Sequence, residues 1–248
     1  MPANLLLDAS EPEPPARSAF DVAYVNPFTY PLSAPYRNRD GMPYGKPARV
    51  LSVVFCTLLN TVNDSWDPRR GELTVRGDFY RLCRRFRLGS GTQSHRTLTG
   101  QLLAFQFADF AGPDCEPFEP FEPYEVDGSH LEGTVLRPTR RFVDVSVAHA
   151  RRVPPDPLSS LSSPMRIDLL MLAAMHCPDE RGMLIPWDVL RTVLPAASAT
   201  TLLRSTVHAA CLEVTRAQTW WRFEDGGRGV RVRPVTAPAG HAVVLRPR

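Results

Sequence analysis

Residues 77–105 read GDFYRLCRRFRLGSGTQSHRTLTGQLLAF and predict two helices that meet at a tight Gly-Ser-Gly turn over residues 89–91. Apolar side chains recur at helical spacing on the inner faces, which carry Phe79, Leu82, Cys83, Phe86, His95, Leu98, Leu102 and Phe105. The outer faces carry basic and polar side chains, which are Arg81, Arg84, Arg85, Thr92, Arg96 and Thr99. Two short helices around a turn are typical of a helix-turn-helix, so we expect these outer faces to bind DNA.

The residues before this pair predict a core helix and a short strand. A turn-forming GMPYGKP (41–47) leads into a helix from Pro47 to Asn63, in which apolar side chains repeat every four residues at Val50, Val54, Leu58 and Val62. Leu73 and Val75 then alternate as in a strand. Asp78 is placed to cap the helix that begins at Phe79.

Residues 112–128 form an acidic, proline-rich insert. A Glu-Pro-aromatic tripeptide occurs three times over 116–124, a spacing that favours extended polyproline II. Two interpretations stay open: a stiff spacer, or an anionic segment that occupies the basic surface or docks a partner. After the insert, Val143, Val145 and Val147 alternate within 141–148 and predict a strand.

A second series of elements follows the break VPPDPLSSLSSP at 153–164. Ser163 and Pro164 predict the start of a helix, and Pro186 with Trp187 starts a short helix that runs to Leu194. Ser198 is placed to cap a further helix, whose buried side chains are Leu203, Val207, Ala210 and Val214. The turn Asp225-Gly226-Gly227 predicts a hairpin in which Arg231 and Arg233 lie opposite Val230 and Val232.

Three helices followed by a basic hairpin are the order of a winged helix. The pattern therefore predicts an α+β protein with two tandem winged-helix-like domains, the first being a degenerate copy. Residues 1–45 predict an extended Pro-rich N-terminal arm, and 46–150 the first domain with its Glu/Pro-aromatic connector at 112–128. Residues 160–248 predict the second domain, with a basic wing over 218–235.

Charge is segregated along the chain, although the formal net charge is only +3. Eight arginines lie between Arg69 and Arg96, whereas eight acidic residues lie between Asp109 and Glu132. Lys46 is the only lysine, so the cations are almost all forked guanidinium donors, which suit phosphates and guanine edges. A GC-rich genome is the alternative explanation for this bias.

The second domain supplies a further set of candidate DNA contacts. We expect base edges or nearby phosphates to be contacted by Thr201, Arg204, Ser205 and His208. The wing is expected to hold the DNA backbone through Arg228, Arg231 and Arg233. The alternative for each set is an ordinary solvated face.

Catalytic and metal sites are not predicted, and we expect no enzyme activity and no cofactor. Gly89-Ser90-Gly91-Thr92 has no lysine to hold nucleotide phosphates. The six histidines lie far apart, and the five cysteines form no CxxC pair, which fits a reducing compartment. The start of the chain lacks the pattern of a signal peptide, and no apolar run reaches the ~20 residues of a membrane span. We therefore expect a soluble cytoplasmic protein without membrane contacts.

The segments GMPYGKPARV (41–50) and LIPWDVL (184–190) resemble the plasmid-encoded RepA-type replication initiators. That family typically has a PYG-x-x-P-R turn into its first helix and an IPW turn into a later one. Pro43, Tyr44, Gly45, Pro47 and Arg49 are assigned to the first motif, although Pro47 lies one position before the motif's second proline, where this chain has Ala48; Ile185, Pro186 and Trp187 match the second motif. We interpret these positions as architectural. The Glu-Pro-aromatic insert and the scarcity of lysine depart from the family pattern.

The resemblance implies an initiator with two winged-helix domains that binds direct repeats in double-stranded DNA at a plasmid origin. Such a protein would promote origin opening and helicase recruitment, with the nucleoid or plasmid as its place in the cell. Host initiator or helicase-loading proteins as partners, and a homodimer, are left open. The alternatives are a winged-helix transcriptional repressor and a basic scaffold that binds an acidic protein.

Overall fold

The computed structural model describes residues 23–25, 43–88, 92–106, 108, 110–111, 117–127, 130–177, 182–194, 200–218 and 220–235. The α+β class predicted from the sequence is confirmed. The helices are α1 (Gly45–Leu59), α2 (Gly77–Arg85), α3 (Thr92–Phe105), α4 (Arg140–His149), α5 (Pro155–Ser160), α6 (Pro164–His176), α7 (Trp187–Val193) and α8 (Thr200–Ala217). None of the helices in these ranges has the length and apolar character to cross a bilayer.

The strands are short and pair in small antiparallel sheets. They are β1 (Ala23–Val25), β2 (Trp66–Asp67), β3 (Glu72–Thr74), β4 (Phe110–Ala111), β5 (Pro117–Phe118), β6 (Val135–Leu136), β7 (Arg151–Val153), β8 (Met183–Pro186), β9 (Trp221–Asp225) and β10 (Gly229–Pro234). Their orders are β2-β3-β6, β8-β10-β9, and the pairs β1-β7 and β4-β5. Residues 43–150 are called the first half below, and residues 164–235 the second half.

Helix α1 is the centre of the first half, and the prediction of a core helix is confirmed. Thirteen of its residues are buried. The predicted end at Asn63 is wrong, because α1 stops at Leu59 and Val62 is 88% exposed. Asn63 explains the early stop, since its side-chain amide donates to the carbonyl oxygens of Leu58 and Thr61 and so terminates the helical hydrogen bonding.

The start of α2 is capped by residues distant in sequence, and the prediction that Asp78 caps it is wrong. Asp64 Oδ1 accepts from the Asp78 amide at 2.8 Å, and Ser65 Oγ accepts from the Phe79 amide at 3.0 Å. Asp78 instead accepts from the backbone amide of Asp64 at 3.0 Å. The hydrogen bond from the Asp78 amide is the main cause that lowers the pKa of Asp64.

Helix α2 ends before the glycines that were expected to end it. Arg87 adopts a φ of +54°, and the amides of Arg87 and Leu88 donate back to Arg84 O and Cys83 O at 3.0 and 2.9 Å. This is a Schellman ending with arginine where glycine is usual. The predicted Gly-Ser-Gly turn at 89–91 lies outside the described residues.

Residues 140–149 form helix α4, so the strand predicted over 141–148 is wrong. Thr139 caps the helix by accepting from the Phe142 amide at 3.3 Å. Phe142 and Ser146, four residues apart, are fully buried, while Val147 is 58% exposed. The helical period of these two residues and the cap therefore decide the structure, and the alternating valines do not share a buried face.

The Glu-Pro-aromatic insert is packed into the first half over its described part, so the stiff-spacer interpretation is wrong there. Phe121 is 2% exposed and lies 4.9 Å from Phe55 and 5.4 Å from Phe142 between ring centroids. Tyr124 is also buried, and its hydroxyl donates to Leu102 O. Glu119 and Glu122 of the repeat are exposed. The alternative of an anionic docking segment stays a prediction.

The insert also lines up beside the strand that follows it. The Glu122 amide donates to Arg137 O at 2.8 Å, and the Thr139 amide donates to Pro120 O at 2.9 Å. Residues 120–122 therefore run antiparallel to 137–139, directly after β6. In space the order is β3, then β6 with its continuation, then the insert.

The second half follows its predicted elements closely. Helix α6 buries Ile167, Leu170, Met171 and Ala174, and α8 buries Leu203, Val207, Ala210 and Val214. The short helix after Pro186 and the Asp-Gly-Gly hairpin are confirmed as α7 and β9–β10. Ser198, the predicted cap of α8, lies outside the described residues.

The two halves share a joint built around the GKPAR segment at 45–49. Arg49 on α1 and Asp168 on α6 are fully buried and form a bidentate ion pair, with N–O distances of 2.5 and 2.8 Å. Lys46 Nζ donates to Ser159 O and Leu161 O at 3.3 and 2.8 Å. Burial, together with the charge of Arg87, lowers the pKa of Lys46.

Only a small part of the predicted N-terminal arm lies among the described residues. There, β1 pairs with β7, the strand between the halves, in the register Ala23 with Val153. Ala23 is fully buried. This segment of the arm is therefore docked against the joint.

Candidate nucleic-acid interface

The outward face of α8 carries three of the predicted DNA contacts. Arg204 and Ser205 are exposed, and His208 is half-buried. Leu203 and Val207 lie on the opposite, buried face, which packs on α6 and β9. Thr201 belongs to the first turn of α8, but its side chain lies outside the described part of the structure. The helix therefore presents a polar face with the spacing that the sequence predicts.

Two of these side chains contact Trp187 at the start of α7. The guanidinium carbon of Arg204 lies 5.4 Å from the centre of the Trp187 ring, a cation–π contact. The ring of His208 lies 5.5 Å from the same indole, tilted by 59°. His208 Nε2 is also 3.6 Å from Asp225 Oδ2 on β9. His208 is thus adjacent to the hairpin, and Arg204 is connected to it through Trp187.

The hairpin carries its arginines on the face turned away from α8. Val230 and Val232 are buried, whereas Arg231 and Arg233 on the same strand are exposed, as predicted. Arg233 forms a 3.6 Å ion pair with Glu224. Arg228, in the turn, is exposed. The predicted wing residues therefore occupy the tip and the outer face of this sheet.

Two glycines near the tip of the hairpin occupy positions where a side chain would be strained or would clash. Gly227 has a φ of +69°. Its amide donates to Asp225 Oδ1 at 2.7 Å, which closes the turn. A Cβ on Gly229 would lie 2.1 Å from Ile185 O, so β8 and β10 can approach only with glycine there.

The basic face of the first half is partly neutralised by acidic neighbours. Arg81 pairs with Asp78 at 2.9 Å, and Arg85 pairs with Asp156 at 2.6 Å. Arg84 and Arg96 are exposed. Ion pairing at Arg81 and Arg85 lowers the net positive charge that this face offers to phosphates.

The prediction that Thr99 on α3 contacts DNA is wrong. Thr99 is only 8% exposed, and its hydroxyl donates to His95 O at 2.9 Å. The cause is a wide buried arc on α3 that includes Gln101, whose side chain accepts from the Tyr44 amide at 3.1 Å. Thr92 begins α3, and its side chain lies outside the described part of the structure.

Sequence reasoning missed one exposed arginine on the hairpin. Arg222 on β9 pairs in register with Arg233 on β10 and faces outward with it. The signal was present in the alternation of WRFED at 221–225, where Trp221 and Phe223 are buried. Arg222, Arg231 and Arg233 together make the outer face of this sheet basic.

The described residues contain no group of three or more His, Cys, Asp or Glu side chains placed to hold a metal ion. Cys56, Cys83, Cys177 and Cys211 are buried free thiols. Burial raises the pKa of Cys211 to about 12, and it also raises the pKa values of Cys56 and Cys83. These three thiols are therefore protonated and pack as small apolar groups.

Two of the residues that the sequence analysis interprets as architectural, Arg49 and Trp187, are buried. Arg49 is the buried partner of Asp168, and Trp187 is 6% exposed with its indole N–H donating to Gly227 O at 3.1 Å. No protein-family model and no curated protein sequence matches this chain.

Proposed function

We propose that this protein is a sequence-specific reader of double-stranded DNA built from two tandem winged-helix-like units. The observation that carries the proposal is the order of the second half: helix α6, strand β8, helices α7 and α8, then hairpin β9–β10, with the sheet order β8-β10-β9. An exposed polar helix and an arginine-bearing hairpin stand next to each other in that order. A helix of this kind enters the major groove, and the hairpin contacts the adjacent backbone.

The first half supports the tandem arrangement. Helix α1, strand β3 and helices α2 and α3 are followed by the insert and by β6, and the insert bonds to 137–139 directly after β6. In both halves, a strand that lies between the first two helices pairs with the last strand. The segment that precedes the last strand in sequence lies on the other side of it. The Glu-Pro-aromatic insert therefore takes the place of the first hairpin strand in a degenerate copy of the unit.

The charge distribution supports unequal roles for the two units. Arg204, Arg228 and Arg231 are exposed, and none of the three forms an ion pair with a described residue. The corresponding basic face of the first half is partly compensated at Arg81 and Arg85. In the proposal the second unit supplies most of the base reading, and the first adds backbone contacts through Arg84 and Arg96.

Within this class, the resemblance to RepA-type proteins favours a plasmid replication initiator. The PYGKPAR (43–49) and IPW (185–187) segments occupy the joint between the halves and the tip of the hairpin, where a family signature would preserve shape. In the proposal the protein has no catalytic activity, binds direct repeats at a plasmid origin in the cytoplasm, and promotes duplex opening and helicase recruitment.

A gel shift with direct repeats from the non-coding DNA beside the gene tests the proposal. We expect binding at least about 10³-fold tighter to the repeats than to random duplex of equal length at physiological salt. Equal affinity for the repeats and for random duplex would contradict the proposal of sequence-specific binding. Loss of plasmid maintenance on deletion of the gene, with a direct-repeat footprint, supports initiation, whereas a palindromic footprint with normal maintenance supports a repressor instead.

Two alanine variants separate the roles of helix and hairpin. Arg204→Ala is expected to weaken binding to the repeats by about 1–3 kcal/mol and to relax specificity, because it removes a base contact. Arg231→Ala is expected to weaken all duplexes alike and to reduce the salt slope by about 1, because it removes a phosphate contact. Arg216→Ala, at the other end of α8, is the control for loss of helix charge. Indistinguishable behaviour of Arg204→Ala and Arg231→Ala would refute the assigned roles.

A further inference from the structure

Trp187 fixes the tip of the hairpin to the start of α7. Its backbone amide donates to Arg228 O at 3.2 Å, and its indole N–H donates to Gly227 O at 3.1 Å. Both acceptors lie in the turn that presents the Arg228 side chain. With 6% of its surface exposed, the indole is an internal support for this turn.

The same indole contacts the exposed helix. Arg204 lies over its ring at 5.4 Å, and His208 packs against it at 5.5 Å between ring centroids. His208 in turn lies 3.6 Å from Asp225, and the other oxygen of Asp225 accepts from the Gly227 amide. The contacts therefore form a closed circuit from α8 through Trp187 to the hairpin tip and back through Asp225.

We infer that Trp187 is a positioning residue that couples base reading by Arg204 to backbone contact by the hairpin tip. An arginine side chain has many rotamers, and stacking on an indole restricts them before the ligand arrives. The hydrogen bonds of Trp187 restrict the tip at the same time. His208 belongs to this support and does not itself contact a base. The inference rests on the proposed function and deepens it by naming what sets the geometry of the reading surface.

If Trp187 orients Arg204, its substitution changes DNA binding in a different way from the substitution of a residue that only stabilises the fold. A residue that only stabilises the fold lowers binding to every duplex in proportion to the unfolded fraction. A residue that orients Arg204 lowers the preference for the cognate repeat among molecules that remain folded. The effect of such a residue on the preference for the cognate repeat must also disappear in a variant that already lacks the Arg204 side chain.

The experiment uses the full chain with Trp187→Phe, Trp187→Leu and Arg204→Ala, and the double variant Trp187→Leu/Arg204→Ala. Kd values are measured by fluorescence anisotropy for a cognate repeat and a random duplex at several salt concentrations. Trp187→Phe keeps an aromatic ring but loses the N–H donor, so we expect weaker binding to both duplexes with the preference ratio nearly kept. Trp187→Leu also loses the stack, so we expect the ratio to fall by about 3- to 10-fold.

Trp221 offers a matched control. It is equally buried, and its indole N–H donates to Cys177 O at 3.3 Å, at the end of the hairpin opposite the tip. Trp221→Leu is expected to lower thermal stability like Trp187→Leu while leaving the preference ratio of the folded protein unchanged. Circular dichroism gives the folded fraction for each variant, and Trp187→Met, which also lacks an aromatic ring, replaces Trp187→Leu in the single and double variants if Trp187→Leu does not fold.

The possible results distinguish coupling through Trp187 from a purely structural role of this residue. A preference ratio that falls with Trp187→Leu but falls no further in the double variant, relative to Arg204→Ala, supports the coupling. A ratio unchanged by Trp187→Leu, or lowered equally by Trp221→Leu, overturns the inference while the proposed function stands. Absence of any preference in the wild-type protein overturns the proposed function itself.

Discussion

Arg49→Met is expected to lower the free energy of unfolding by about 3–5 kcal/mol, because it removes the neutralising guanidinium from the buried Asp168 carboxylate. Both side chains are fully buried, so water does not replace the lost guanidinium. The double variant Arg49→Met/Asp168→Leu is expected to recover most of this loss, since an apolar pair of similar size carries no desolvation penalty. Urea unfolding followed by circular dichroism measures both.

The exposed pair Arg85 and Asp156 is the matched control for charge alone. It joins the first half to helix α5 in the segment between the halves, with 41% and 79% of the side chains exposed. Arg85→Met is expected to cost less than about 1 kcal/mol, because an exposed pair is screened by solvent. If Arg49→Met costs no more than Arg85→Met, the buried pair does not hold the joint together.

Phe121→Ala is expected to cost about 3–5 kcal/mol, because it empties a site enclosed by aromatic rings. Phe55, Phe142 and Tyr124 lie within 6 Å of its ring centroid, at 4.9, 5.4 and 5.9 Å. Thermal or urea unfolding of the full chain measures the loss. A solvent-exposed spacer would lose almost nothing on the same substitution.

The neighbouring exposed residue is the control for that variant. Glu122→Ala is expected to change the unfolding free energy by at most about 0.5 kcal/mol, because the side chain faces solvent. Equal and small effects of Phe121→Ala and Glu122→Ala would contradict the placement of the insert in the core.

The second half was predictable because its signals are local. The Asp-Gly-Gly turn, the alternation of Val230 to Arg233 and the four-residue spacing in α8 each specify their element without help from distant residues. The same spacing correctly predicts which face of α8 is exposed to solvent. Strand β8, which the sequence analysis does not predict, and the contacts of Arg204 and His208 with Trp187 required the folded chain, because in each case the partner comes from another element.

The first half was harder because distant residues decide its details. Asp64 and Ser65 cap α2 from fourteen positions away, which no pattern near Asp78 reveals. Thr99 is buried because α3 is covered on more than one side, by contacts that include the Tyr44 amide. The aromatic residues of the insert repeat every three positions, a spacing that predicts a polyproline II helix. In the folded chain Phe121 and Tyr124 are instead buried in the core of the first half.

The single lysine makes the joint accessible to selective amine chemistry. Apart from an α-amino group, Lys46 offers the one primary amine, and its Nζ is held by two carbonyl oxygens from the segment between the halves. Acylation needs the unprotonated amine with its lone pair directed at the reagent, and the two hydrogen bonds restrict that approach. The rate of Lys46 acylation therefore reports local opening of the contact between α1 and residues 159–161, without any introduced label.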